Sequence, residues 1–84
     1  MILNGISAVS LETGINPSSL RRWESMGLIE VSRLDFGETW VRIFTDEDVE
    51  FLKAVKRLMN EGMKLRPAFA KAREELNMEA LSYD

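Results

Sequence analysis

A helix stop and a helix start stand almost back to back near the N-terminus, and that spacing constrains the chain more than any other feature. Gly14 closes a short segment, Ile6 to Thr13, that reads as a helix, and Asn16-Pro17 opens a second. Glycine supplies the left-handed backbone that ends a helix in a tight turn. Asparagine is a good N-cap, and proline suits the first helical position because the amide it lacks has no intrahelical partner there. Ser7 is the expected cap of the first helix, with Ala8 and Val9 as its small apolar face. The second helix runs to about Met26 and is stopped by Gly27. Leu20 and Trp23 lie three residues apart and so share a face. Arg22 falls about 200° from Leu20, nearly opposite the buried side. Two short helices at a tight turn, with Ser10 small at their crossing and Val9, Ile15, Leu20 and Trp23 as apolar anchors, have the layout of a helix-turn-helix.

The chain then changes period. Residues 28–33 and 40–44 are rich in β-branched, aliphatic and aromatic side chains, with Leu34-Asp35-Phe36-Gly37-Glu38-Thr39 between them. Trp40, Arg42 and Phe44 alternate with Val41 and Ile43, which predicts a β-hairpin with a longer loop. Thr45 caps a third helix whose first turn carries Asp46, Glu47 and Asp48, suited to the positive end of the helix dipole. Its apolar stripe is Val49, Leu52, Val55 and Leu58-Met59, and Gly62 stops it. Pro67 opens a last helix with Phe69, Ala72 and Leu76 on one side; Met78, Leu81 and Tyr83 beyond it are further apolar contacts in want of a surface. The expected fold is mainly α: a winged helix-turn-helix in the order helix, helix, β-hairpin wing, helix, helix. Its parts are the helix-turn-helix at 6–27, the wing at 28–44 and helices at about 46–61 and 66–77.

At 84 residues the chain makes a single domain, 1–84. Domains of this size bury only about 60% of the surface they expose when unfolded, which leaves room for one binding surface. No cysteine is present, so disulfides and thiolate metal sites are excluded; no histidine is present, which removes the commonest general base and zinc ligand. Nothing remains that reads as an enzyme, and no cofactor is expected. Asp46, Glu47, Asp48 and Glu50 resemble a metal cluster, but their place at a helix start accounts for them. No apolar run reaches the ~20 residues a bilayer crossing needs, and Met1 to Gly5 has neither the basic region nor the apolar stretch of a signal peptide. The expected location is cytoplasmic. The net charge of −3 runs against the basic excess usual in nucleic-acid binders. A DNA-binding reading must therefore rest on where the charges sit. The same acidity, with Phe36 beside Asp35 and Glu38, supports an alternative of another class, a small protein–protein interaction module.

The residues resemble a known family more closely than the layout alone. The DNA-binding heads of the MerR family of bacterial regulators open on a pattern close to I-x-x-V-A-x-x-T-G-V, then T-L-R-Y-Y-E-x-x-G-L-I. This chain has Ile6, Val9-Ser10, Thr13-Gly14-Ile15, then Ser19-Leu20-Arg21-Arg22-Trp23-Glu24 and Gly27-Leu28-Ile29. The family's wing pattern is matched by Ser32-Arg33, Gly37, Arg42 and Phe44-Thr45 through Asp48-Val49, and its next helix by Leu52, Val55, Leu58, Gly62-Met63 and Leu65. The similarity spans residues 6 to about 76. Three departures stand out: Ser10 for alanine, Arg22-Trp23 for the usual tyrosine pair, and an acidic, apolar wing tip where a basic one is usual.

The resemblance implies double-stranded DNA as the partner and transcriptional regulation as the role, with the second helix in the major groove and the wing along the backbone. Arg21 stands where the family makes its most persistent phosphate contact. Arg22 replaces a DNA-facing aromatic and brings a guanidinium to phosphate or guanine. Ser18 and Ser19, at the helix start, either touch phosphate with the backbone amides or act as local caps. Arg33 and Arg42 match backbone-contacting wing positions; the alternative is a cross-hairpin ion pair with Glu30 or Glu38. Lys64 matches a further phosphate contact, whereas Lys56 and Arg57 read as a solvated face. Trp23, Trp40, Phe44 and Phe69 are expected in the core. Low net charge implies modest affinity for one head, so a homodimer or a cooperative array on DNA is expected. An excisionase-like or nucleoid-associated architectural binder is the runner-up. Whole members carry a dimerising helix and an effector domain after the head; this chain ends at Asp84, as a fragment or a head-only relative would, and no small-molecule effector or target site can be read from it.

Overall fold

The computed structural model describes residues 3–81, and side chains through Asn77. Met78, Leu81 and Tyr83, expected to offer apolar contacts, fall outside the described side chains. The chain divides into two units, at Val49–Glu50.

The first unit begins with a strand that the sequence pattern does not announce. β1 (Leu3–Gly5) runs straight into α1 (Ile6–Thr13), followed by α2 (Pro17–Ser25), β2 (Ser32–Asp35), β3 (Trp40–Thr45) and the start of α3 (Asp46–Asn60). The sheet is antiparallel in the order β1-β3-β2, so the hairpin is extended to three strands. Leu3 pairs with Thr45 and Gly5 with Ile43; Ser32 pairs with Ile43 and Asp35 with Trp40.

The strand corrects the expected cap of α1. Gly5, extended at φ −79° and ψ 168°, is the N-cap, no side chain caps the helix, and Ser7 lies within it. Pairing of Gly5 with β3 fixes where the backbone turns, two residues before the serine. The other punctuation follows the sequence. Gly14 sits at φ 76° and donates its N–H to Ser10 O at 2.9 Å. Thr13, buried, donates its hydroxyl to Val9 O (2.7 Å) and accepts from Ile15 N (3.1 Å), so the turn between the helices holds no unsatisfied hydroxyl. Asn16 Oδ1 accepts from Ser18 N at 2.9 Å, and Pro17 is the first helical residue. At the far end Gly27, φ 76°, lets Leu28 N reach Trp23 O (2.9 Å) while its own N–H reaches Glu24 O (3.0 Å). This paired closure satisfies carbonyls that a helix end otherwise leaves open.

Val9, Ile15, Leu20, Trp23, Phe44 and Val49 are buried in this unit. The anchors expected behind the two helices are thus all in the interior, although Ala8 is exposed. α1, its turn and α2 form the helix-turn-helix, and β2 and β3 form the wing: the fold is a winged helix-turn-helix with a third strand. β3 leads directly into α3 through a reciprocal cap. Asp48 N donates to Thr45 Oγ1 (3.1 Å), and Thr45 N donates to Asp48 Oδ2 (2.9 Å).

The second unit contains the rest of α3 and α4 (Leu65–Leu81), joined at Gly62, φ 105°. α4 begins two residues before Pro67, which sits in the first turn, where its missing amide is tolerated. Leu52, Val55, Leu58, Ala68, Phe69 and Ala72 are buried, and the Phe51 and Phe69 rings lie 5.5 Å apart. Arg57 Nη2 donates to both carboxylate oxygens of Glu75, at 2.5 and 2.6 Å, and its Nη1 donates to Glu61 Oε2 at 3.1 Å. Glu75, then Glu61, hold its guanidinium pKa above the ordinary value. Arg57, its side chain about half exposed, thus ties α3 to α4 from a solvated position. Among the described residues, no helix is long and apolar enough to cross a membrane.

Candidate nucleic-acid interface

Because Leu20 and Trp23 are drawn inward, α2 turns Arg21 and Arg22 outward, and both are exposed. Among the described residues neither guanidinium has an ion-pair or hydrogen-bonded partner. Ser18 donates its hydroxyl to Asn16 Oδ1 at 2.7 Å, the same oxygen that receives its amide, so this side chain serves the cap. Ser19 is half-buried, and its N–H donates to Asn16 O at 2.9 Å. Lys64 belongs to the second unit; it is exposed, and its carbonyl accepts from Ala68 N at the start of α4, 2.9 Å.

The wing arginines are brought together. Arg33 and Arg42 are direct cross-strand partners. Like charges opposite one another destabilise an antiparallel pair, and two groups relieve them. Glu24, from α2, accepts from Arg42 Nε through Oε1 at 2.9 Å and lies 3.6 Å from Arg33 Nη2 through Oε2. Trp40 lies beneath both guanidinium groups, at 4.3 Å from Arg33 and 4.9 Å from Arg42, within cation–π range. The acidic partner is thus neither Glu30 nor Glu38 but a residue of the helix that carries Arg21 and Arg22. One signal for Glu24 exists in the sequence: it stands four residues beyond Leu20, above a buried position, where a carboxylate needs a cation. Trp40, expected in the core, is 45% exposed. It shares a face with buried Phe44, but the strand leaves the interior toward the tip.

The side chains of Glu24 and Arg42 are only 16% and 20% exposed, against 54% for Arg33. Arg42 is held between wing and helix, whereas Arg33 keeps free surface. Glu24→Gln retains the shape and removes the charge that joins them. It should lower stability by about 1–2 kcal/mol, since a partly buried cation is left without its counter-charge; an unchanged urea midpoint would show that the two arginines need no such partner.

At the wing tip Asp35 Oδ1 accepts from Gly37 N (2.9 Å), Phe36 N donates to Thr39 O (2.8 Å), and Gly37 takes φ 89°. Phe36 is 61% exposed, so it does not fold back on the interior.

A helix with an outward arginine pair, braced by a second helix and flanked by a wing tied to it through Glu24, defines a winged helix-turn-helix module of the regulator type. Residues 5–69 match the family described as MerR HTH family regulatory protein, and the chain belongs to that family. Among solved structures it is similar to that of HiNmlR, described as a MerR family regulator lacking the sensor domain, bound to promoter DNA. The TM-score is 0.69 at 27% identity, over 98% of this chain and 64% of that one. The chain thus spans a little less than two thirds of that relative's length. No curated protein matches it.

Proposed function

We propose that residues 1–84 act as one domain that binds double-stranded DNA with sequence preference in transcriptional regulation, without catalysing a reaction, in the cytoplasm. The observation that carries this reading is the pair Arg21 and Arg22 on the outward face of α2, with no protein partner among the described residues. An exposed arginine pair on a second helix fits major-groove docking. Arg21 takes a phosphate and Arg22 a base edge, where a guanidinium matches the two acceptors of guanine. At the start of α2 the amides are taken up by Asn16, so Ser19 meets the backbone through its hydroxyl, and Ser18 does so in exchange for its bond to Asn16 Oδ1. On the wing Arg33 reaches phosphate, while Arg42 contributes its charge from a held position, and Lys64 adds a phosphate contact. HiNmlR, the similar regulator, is bound to promoter DNA in its crystal structure, which supports the same partner here. Two heads acting together, as a homodimer or a cooperative array, offset the modest charge of one.

Counterion release gives the test. Three phosphate contacts, from Arg21, Arg33 and Lys64, predict that log affinity falls against log salt with a slope of about −3 per head. Fluorescence anisotropy with labelled genomic fragments at several salt concentrations measures it. A slope near zero, or no binding at low salt, would sink the proposal.

A further inference from the structure

The outer edge of the wing is open and can be read in register. β2 is the terminal strand of the sheet, and all four of its residues are exposed. Phe36 N donates to Thr39 O, and the same register sets Leu34 opposite Val41 and Arg33 opposite Arg42. Antiparallel pairs alternate between those that exchange hydrogen bonds and those that do not. Ser32, Leu34 and Phe36 therefore turn their backbone groups toward β3, and Arg33 and Asp35 turn theirs outward. Such a row on an edge strand is a template for another strand.

We propose that a second copy of this chain pairs along that edge, β2 against β2, antiparallel about a two-fold axis at Leu34. In this register Arg33 of each copy stands opposite Asp35 of the other. These are the residues whose N–H and C=O groups face outward, so the hydrogen bonds and the charges are satisfied by one alignment. Sliding the strands by one residue sets outward groups against inward ones. Sliding by two sets Arg33 against its own counterpart, or Asp35 against its own. Each side chain has capacity left: Arg33 is 54% exposed beside Glu24, and Asp35 gives one oxygen to Gly37 N. Leu34 meets its counterpart at a position without hydrogen bonds, where side chains come closest. Val41, its cross-strand neighbour, widens the apolar stripe; the two are 45% and 44% exposed in the single chain. The product is a six-stranded sheet, β1-β3-β2-β2-β3-β1.

Pairing draws on the same Arg33 that the proposed function gives to a phosphate, so on DNA one contact replaces the other; the test contains no DNA, and its failure leaves the DNA-binding reading standing. Sedimentation equilibrium over a concentration series should show reversible dimers of the parent chain. Asp35→Arg, which leaves Glu24 and its arginines in place, should raise the dissociation constant about tenfold or more, as attraction becomes repulsion at both ends of the pair. Arg33→Asp alone should do the same. A one-to-one mixture of these two variants should associate as tightly as the parent, because each charged position again meets its opposite. Circular dichroism checks that each variant is folded. Should Arg33→Asp unfold through loss of its Glu24 contact, Leu34→Lys takes its place and should also dissociate the dimer. A parent that stays monomeric up to its solubility limit, or a dimer indifferent to Asp35→Arg, overturns the proposal.

Discussion

Replacing Arg21 and Arg22 together by alanine should weaken DNA binding about a hundredfold and leave the unfolding midpoint almost unchanged. A phosphate contact and a bidentate base contact together are worth roughly 2–4 kcal/mol, and each 1.4 kcal/mol is about tenfold in affinity. Stability should hold because both side chains are exposed on α2 and lack protein partners among the described residues. Alanine also has the better helix propensity. The two substitutions should separate when assayed singly. Arg21→Ala should weaken all sequences alike and make the salt slope shallower by about one, whereas Arg22→Ala should cost discrimination between sequences. Anisotropy with a preferred and a scrambled fragment reads both. Parent-like affinity in the double variant would remove α2 from the interface.

Phe44→Ala should show the opposite pattern, a large loss of stability from a buried residue that makes no proposed contact. Its side chain is 1% exposed on β3, the central strand of the sheet. Truncating a buried phenylalanine typically costs about 3–5 kcal/mol, through lost transfer energy and the cavity left behind. A domain of this size has on the order of 5 kcal/mol in hand, so between a few per cent and roughly half of the molecules should be unfolded in buffer at room temperature. Urea denaturation followed by circular dichroism measures it. Trp40→Ala, on the same face of the same strand, should cost far less because that ring is already half in water. Equal losses at the two positions would mean that burial does not decide the strand's contribution.

The contrast between Phe44 and Trp40 shows where the sequence stops being informative. Alternation along 40–45 reveals which residues share a face, but not where that face leaves the interior. Helix ends were legible because their signals are local: Gly14, Asn16-Pro17, Gly27 and the Thr45–Asp48 cap each act within a few residues. The buried stripe of the two helices was legible for the same reason, through a period of about 3.6 residues. β1 was not, because three residues are too few to display a period, and its pairing partner lies some forty positions away. Without that strand Ser7 was the natural cap. The site divides along the same line. Arg21 and Arg22 follow from helix geometry and the family pattern, whereas the meeting of Arg33, Arg42, Trp40 and Glu24 needs the fold.

The chain has two tryptophans, and the fold gives them unlike surroundings. Trp23 is sealed at 4% exposure behind α2, while Trp40 stands half in water beneath two guanidinium groups. Indole emission responds to polarity and to adjacent charge, so the molecule carries two native optical reporters with separate addresses. Light from Trp40 follows the wing arginines as they trade an aromatic face and a carboxylate for another anion. Light from Trp23 follows the integrity of the helix pair. Engagement of the wing can thus be told from loss of structure in the unlabelled chain.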